Sequence, residues 1–239
     1  VQTGLYVALS SQVALERRLN TIADNVANAT TTGFRATGVK FEDVVTGLGQ
    51  DSMSFVSSGT NFLSTAGGAL VQTGNPLDFA VRGDAWFAIQ TPEGPVMTRD
   101  GRFTMQPDGQ LVSIEGHPVL DAGGGEILLN PEGGTPIVAA DGAIRQEGQL
   151  AGAIGLFDFQ PGNDFRRYGN SGIIPQGEPQ PIIDQANIGV VQGYLEGSNV
   201  DPVLEITRLI QVQRAFEGVS ALLRDSESSL RDAIKTLGS

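Results

Sequence analysis

Glycine and proline are confined to the middle of this chain. All 12 prolines lie between Pro76 and Pro202, and of the 32 glycines only Gly4, Gly33, Gly218 and Gly238 fall outside residues 34–202. A helix interior tolerates neither residue well, at a cost of about 1 kcal/mol for Gly and about 3 for Pro. The two ends are therefore the parts of the chain free to form long helices.

Each end carries a matching apolar rhythm. Leu5, Ala8, Gln12, Leu15, Leu19, Ile22 and Val26 alternate steps of three and four, the period of a coiled-coil seam. Gly33 is the expected stop, since it adopts the left-handed conformation that follows a last helical turn. At the other end Asp201-Pro202 reads as an N-cap followed by proline at the first helical position. Ile206, Leu209, Gln213, Phe216, Ser220, Leu223, Glu227, Leu230, Ile234 and Leu237 then repeat the rhythm. Glu205 near the start and Lys235 near the end suit the helix dipole. Polar seam residues such as Gln12, Gln213 and Glu227 favour choice of partner and register over stability. Two such seams pair either with each other in a helical hairpin or with other copies, and both alternatives stand.

Between Leu70 and Leu195 the period falls to two. Leu77, Phe79 and Val81 alternate with polar or small neighbours, and Trp86-Phe87-Ala88-Ile89 reads as a more buried strand. Asp100-Gly101 predicts a two-residue hairpin between Val96–Arg99 and Arg102–Gln106. Ile127–Leu129, Ile137–Ala139, Ala153–Gln160, Gly172–Pro175 and Ile188–Leu195 also have strand character. Residues 36–75 fit neither period. Phe41, Val44, Val45 and Leu48 sketch a helical turn, and Ser52–Asn75 reads as an extended arm. The expected fold is α+β. Long terminal helices (residues 1–35 and 198–239) form a discontinuous, coiled-coil-like helical assembly domain. An extended connecting arm (36–75) joins it to a central, mainly antiparallel β-domain (76–197).

The formal net charge of −12 excludes a general nucleic-acid binder, which needs a basic face against phosphates. Its distribution says more. Residues 36–202 hold 7 basic and 20 acidic side chains, while 1–35 hold 3 and 2 and 203–239 hold 5 and 5. With no Cys and the single His117, a disulfide framework, a thiolate or multi-His metal site and a Cys nucleophile are excluded. No apolar run approaches the ~20 residues that span a bilayer, and no cleavable signal-peptide pattern opens the sequence.

Chemistry finds little footing. Asp100, Asp108, Asp141, Glu93 and Glu132 each precede Gly and read as turn residues. Asp100 and Glu115 would be the pair to examine for glycoside hydrolysis, a weak signal in any acidic β-domain. Gly123-Gly124-Gly125 lacks the following Lys-Ser/Thr of a phosphate loop. Arg166-Arg167 reads as a salt-bridged surface pair. No catalytic, cofactor or metal residue is assigned, and an enzyme is not expected.

Three blocks carry a resemblance. Ile22-Ala23-Asp24-Asn25-Val26-Ala27-Asn28, followed by Thr30-Thr31-Thr32-Gly33-Phe34, resembles the N-terminal signature of the flagellar axial proteins of rod, hook and hook-associated type. Gly193-Tyr194-Leu195-Glu196-Gly197-Ser198-Asn199-Val200-Asp201-Pro202, running into Gln213-Arg214-Ala215-Phe216-Glu217, is similar to the opening of that family's C-terminal helix. Leu77–Asp84, Thr98–Phe103 and Gly109–Val112 look like the β-core shared by rod and hook proteins. The run Gly83–Phe87 is most similar to proximal-rod members, with the distal-rod paralogue as the alternative. Outside the family the alternative is a soluble periplasmic β-domain binding module with a helical hairpin.

The resemblance implies a structural subunit of the basal-body rod. It implies export without a cleaved signal, helical polymerisation in the periplasm, and a share in the drive shaft of motility. Implied partners are other copies, other rod subunits and the flagellar export apparatus, with no nucleic acid, small-molecule substrate or cofactor. On this reading Leu5, Leu15, Leu19, Ile22, Val26, Ile206, Leu209, Phe216, Leu223, Leu230, Ile234 and Leu237 form the assembly seam. The family motif comprises Asn25, Asn28, Gly33, Phe34, Ser198, Asn199 and Pro202. Its asparagines would cap or bridge backbone, and Gly33 with Phe34 would fix the exit from the first helix.

Overall fold

A computed structural model describes residues 2–46, 53–57, 59–163, 165–183 and 187–237. The chain divides into two compact units. One comprises residues 1–27, 37–62 and 201–239, the other 28–36 and 63–200.

The first unit holds both helices, α1 (Gln2–Ala27) and α2 (Pro202–Leu237). The Asp201 carboxylate caps α2, its Oδ1 accepting from the backbone N–H of Val203 and Leu204 at 3.0 Å each. Pro202 takes the first helical position, where no N–H is needed. The helix α1 packs against α2 and also against the strands Thr37–Lys40 and Met53–Val56. Thr37–Lys40 pairs with Thr60–Leu63, and Asp43–Thr46 pairs antiparallel with Met53–Val56.

This corrects the expected fold class in two respects. The described residues hold two helices, one at each end, and no coiled-coil-like helical domain. A coiled coil needs one continuous apolar seam, but α1 divides its inner surface between α2 and two strands. Its buried described positions are Ala14, Ile22 and the polar Asn25, and those of α2 are Glu205 and Val212. Nor is the connecting stretch an extended arm, since its described residues form five strands, the last of them Leu70–Gln72. The turn sketched by Phe41, Val44 and Val45 is part of this strand structure, and Leu48 lies outside the described residues. Two glycine–aromatic contacts pin these strands. A Cβ on Gly38 would fall 2.2 Å from the Phe62 ring, and one on Gly59 would fall 2.6 Å from that of Phe41.

The second unit is built from short antiparallel pairs. Its largest sheet has the order Arg166–Tyr168, Gly172–Ile174, Gly94–Thr98, Phe87–Thr91. The buried run foreseen at 86–89 supplies both faces of this sheet. Phe87 and Ile89 enter a large core with Phe79, Phe103, Leu111 and Val119. Trp86 and Ala88 enter a second core with Leu63, Met97, Leu120, Phe157 and Ile173.

Two hairpins differ from expectation. Strand 94–98 turns back onto 87–91 through Pro92-Glu93, so Asp100-Gly101 is not a hairpin turn. Gly101 instead passes against strand Phe79–Arg82, where a Cβ would lie 1.7 Å from the Phe79 carbonyl oxygen. The pair Ala143–Gln146 and Gln149–Ala153, joined at Glu147-Gly148, was not read from the sequence. Both turn residues have positive φ, 50° and 80°, as a tight primed turn requires.

Candidate functional site at the meeting of the motif segments

The two motif segments of the second unit meet on strand Tyr194–Glu196. That strand pairs with Leu70–Gln72 and places the Glu196 side chain inward, 2% exposed. Its Oε1 lies 2.7 Å from Arg35 Nη2 and accepts the Gly68 N–H at 2.9 Å, while Oε2 accepts from Arg99 Nη1 at 3.1 Å. Arg35 Nη1 also donates to the carbonyls of Thr65 (2.9 Å) and Ala66. Arg99 Nη2 donates to the Gly83 carbonyl at 2.9 Å and lies 3.7 Å from Asp84, and both guanidinium groups stand over the Trp86 ring. One buried carboxylate thus serves two buried cations. Burial draws both arginines below their usual range, Arg99 to about 10, with attraction to Glu196 opposing it. Both stay charged at neutral pH. The cluster floors an open cleft of about 450 Å³, and the terminal nitrogens of both arginines are already engaged with the protein.

The residues before Arg35 are held with equal closeness. Gly33 has φ 68° and gives its N–H to the Glu196 carbonyl at 2.7 Å. A Cβ there would stand 2.3 Å from the Asp100 nitrogen and 2.4 Å from the Arg99 carbonyl carbon. Phe34 is buried beneath the Arg167 guanidinium, 4.4 Å above its ring, and Arg167 also donates to the Arg35 carbonyl at 2.5 Å. Asn199 closes the arrangement. Its N–H donates to the Phe34 carbonyl at 3.2 Å, its Oδ1 accepts the Ala36 N–H at 2.7 Å, and its Nδ2 donates to Ser64 Oγ (3.1 Å) and the Ala66 carbonyl (2.8 Å). Ser198 Oγ accepts the Val200 N–H at 3.2 Å, and Asn28 Oδ1 accepts from Thr31 Oγ1 at 3.0 Å. The helix α1 ends at Ala27, and Gly33 makes the later turn onto the β-unit rather than the helix stop itself. Gly33→Ala introduces both strain and a backbone clash. An expected loss of about 2–3 kcal/mol would be read as an earlier urea midpoint in Trp86 fluorescence.

In the first unit Asn25 behaves like a piece of backbone. Its Oδ1 accepts the Thr37 N–H and its Nδ2 donates to the Thr37 carbonyl, both at 2.9 Å. Its Nδ2 also lies 3.4 Å from Glu205 Oε2, and Glu205 Oε1 holds Arg208 at 2.5 Å. Leu15, Leu19, Val26, Leu209, Phe216 and Leu223 are half-buried, Ile22 is buried, and Ile206 is exposed. On α2 the inward positions are Glu205, Leu209, Val212 and Phe216, so Val212 faces in where Gln213 was read. The side chains of Leu5, Leu230, Ile234 and Leu237 lie outside the described residues.

The sequence reading quoted Glu196 without giving it a role and passed over Arg35, Arg99 and Arg167 as site residues. Arg166, as read, is an exposed partner of Glu93 at 3.3 Å, but Arg167 is part of the junction. An acid in the alternating strand Tyr194-Leu195-Glu196 was the available signal. Asp100 offers both oxygens to Arg102, at 2.8 and 2.5 Å, and His117 Nε2 lies 3.1 Å from Tyr168 Oη. Among the described residues no group of three or more His, Asp or Glu could hold a metal ion, and no helix is long and apolar enough to cross a membrane.

Residues 5–35 match the family described as flagella basal body rod protein, 80–150 the flagellar hook protein FlgE/F/G D1 domain, and 191–236 the flagellar basal body rod FlgEFG protein C-terminal region. The flagellar basal-body rod protein FlgF of Mesorhizobium japonicum is 64% identical over 239 residues, covering 100% of this chain and 99% of that protein. The chain belongs to the flagellar basal-body rod protein family. Within this rod family, FlgF of Rhizobium meliloti is 55% identical over 238 residues, covering 100% of this chain and 99% of that protein. FlgG of Bacillus subtilis is 32% identical over 260 residues, with 97% of each covered. The likeness is thus stronger to FlgF than to FlgG. The rod-family matches at the two ends contain Asn25, Gly33, Phe34 and Arg35 on one side and Glu196 and Asn199 on the other.

Proposed function

We propose that this chain is a non-enzymatic structural subunit of the proximal rod. It passes the flagellar export apparatus and polymerises with its own copies and with other rod subunits into the periplasmic drive shaft. The observation that carries the reading is the outward apolar face of the helices. On α1, Tyr6, Leu9 and Val13 are exposed at one-face spacing, Tyr6 by 60%. On α2, Val203, Ile206 and Ile210 do the same, Val203 by 74%. Helices that turn aliphatic stripes outward have surface to bury against neighbours. The outward face offers surface to neighbours, and the seam residues named above within 1–35 and 198–239 serve assembly by holding the two helices that present it, with residues 76–197 carrying the acidic β-unit.

Leu19→Asp and Leu223→Asp should each abolish motility and incorporation into basal bodies, while Trp86 fluorescence keeps the unfolding midpoint of the β-unit. Normal motility in both variants contradicts the proposal.

A further inference from the structure

The β-unit carries an outward row that the site does not use. Ile137, Arg145 and Leu150 are direct cross-strand partners in the three-stranded sheet of Ile137–Val138, Ala143–Gln146 and Gln149–Ala153. All three are exposed, Ile137 by 68% and Leu150 by 65%, while Ile144 and Gln146 of the same central strand point inward. Large aliphatic side chains flanking an arginine on an open sheet face have the composition of an interface centre.

Across residues 36–202 the charge pattern leaves two cations open among the described residues, Arg82 and Arg145, of which Arg145 lies in this row. Most basic side chains of residues 36–202 are committed within the molecule: Lys40 to Glu42, Arg99 to Glu196, Arg102 to Asp100, Arg166 to Glu93, and Arg167 to the Arg35 carbonyl. The Arg145 guanidinium forms no ion pair or hydrogen bond among the described residues. It is an open cation on a strongly acidic stretch of chain.

The complement lies on the same unit, in the turn between Leu111–Ser113 and the segment from His117. There Ile114, 53% exposed, adjoins Glu115, whose side chain is 58% exposed and lies 3.9 Å from His117. We infer that the Ile137–Arg145–Leu150 face of one copy receives the Ile114–Glu115 turn of a second copy of this chain. Glu115 meets Arg145, and Ile114 lies between the two aliphatic side chains. The two patches differ, so the contact is head-to-tail and repeats into an open chain of subunits rather than closing as a symmetric pair. This inference rests on the rod reading above.

The absence of cysteine makes the test clean. In cells producing Ile114→Cys/Leu150→Cys, mild oxidation of isolated basal bodies should yield a disulfide-linked ladder of dimers and higher multimers. Each single-cysteine variant should stay monomeric. A double variant present in basal bodies without a ladder overturns the contact, as do dimers formed equally by either single variant. Absence of the unmodified chain from basal bodies overturns the rod reading instead. Arg145→Glu and Glu115→Arg should each lower incorporation about tenfold, and their combination should restore most of it. Failure of the combination to restore, or full incorporation of either single variant, also contradicts the contact.

Discussion

Glu196→Gln will lower the stability of the β-rich unit by about 3–5 kcal/mol, enough to remove most of the margin of an ordinary domain. The substitution keeps the shape of the side chain, so packing does not account for the loss. Arg35 and Arg99 remain charged and buried with no carboxylate between them, and each guanidinium then repels the other. Equilibrium urea unfolding followed by the single tryptophan, Trp86, reads the effect directly because that ring lies beneath both arginines. A fall of less than about 1 kcal/mol would show that the ion network contributes little. The triple replacement Arg35→Met, Arg99→Met and Glu196→Leu should recover most of the loss, since an apolar cluster of similar volume carries no unpaired charge.

Phe34→Ala should cost about 3–5 kcal/mol in the same measurement. Phe34 is 2% exposed, and its removal leaves a cavity under Arg167, whose guanidinium loses the ring it covers. The strand-like contact of the Phe34 carbonyl with Asn199 would persist, because it uses backbone. Phe34→Leu fills most of the cavity and should recover about half of the loss. Equal losses for Ala and Leu would mean that the aromatic face, rather than burial, dominates.

The chain leaves α1 at Ala27, turns at Gly33, and anchors Phe34 and Arg35 on the β-unit. It leaves the unit again through Glu196 and Asn199 before Asp201 caps α2. The buried ion network ties together, within the β-unit, the segments through which the chain enters and leaves it.

What could be read in advance follows from the range of the physics. Asp201-Pro202 and the strand at 86–89 depend on neighbours a few residues apart, and local chemistry specified them. The α2 seam was read with Ile206 and Gln213 inside, whereas the structure turns Glu205 and Val212 inward, because Asn25 and Arg208 supply partners that make a buried acid tolerable. Spacing alone cannot see those partners. The hairpin assigned to Asp100-Gly101 failed for a related reason: Gly101 is glycine because another strand passes against it, not because the chain reverses there. The coiled-coil-like domain was over-read from a heptad rhythm, since a rhythm reports an apolar face and not what covers it. The Arg35–Glu196–Arg99 network joins residues more than 90 positions apart, and nothing local announces it.

The central claim is that this chain is a structural subunit of the proximal rod. Electron cryomicroscopy of basal bodies isolated from cells carrying a tagged copy tests it most directly. The account predicts ordered density for the chain within the proximal rod, in contact with neighbouring copies. Tag density confined to the periplasmic or cytoplasmic fraction, with basal bodies complete without it, would contradict the account.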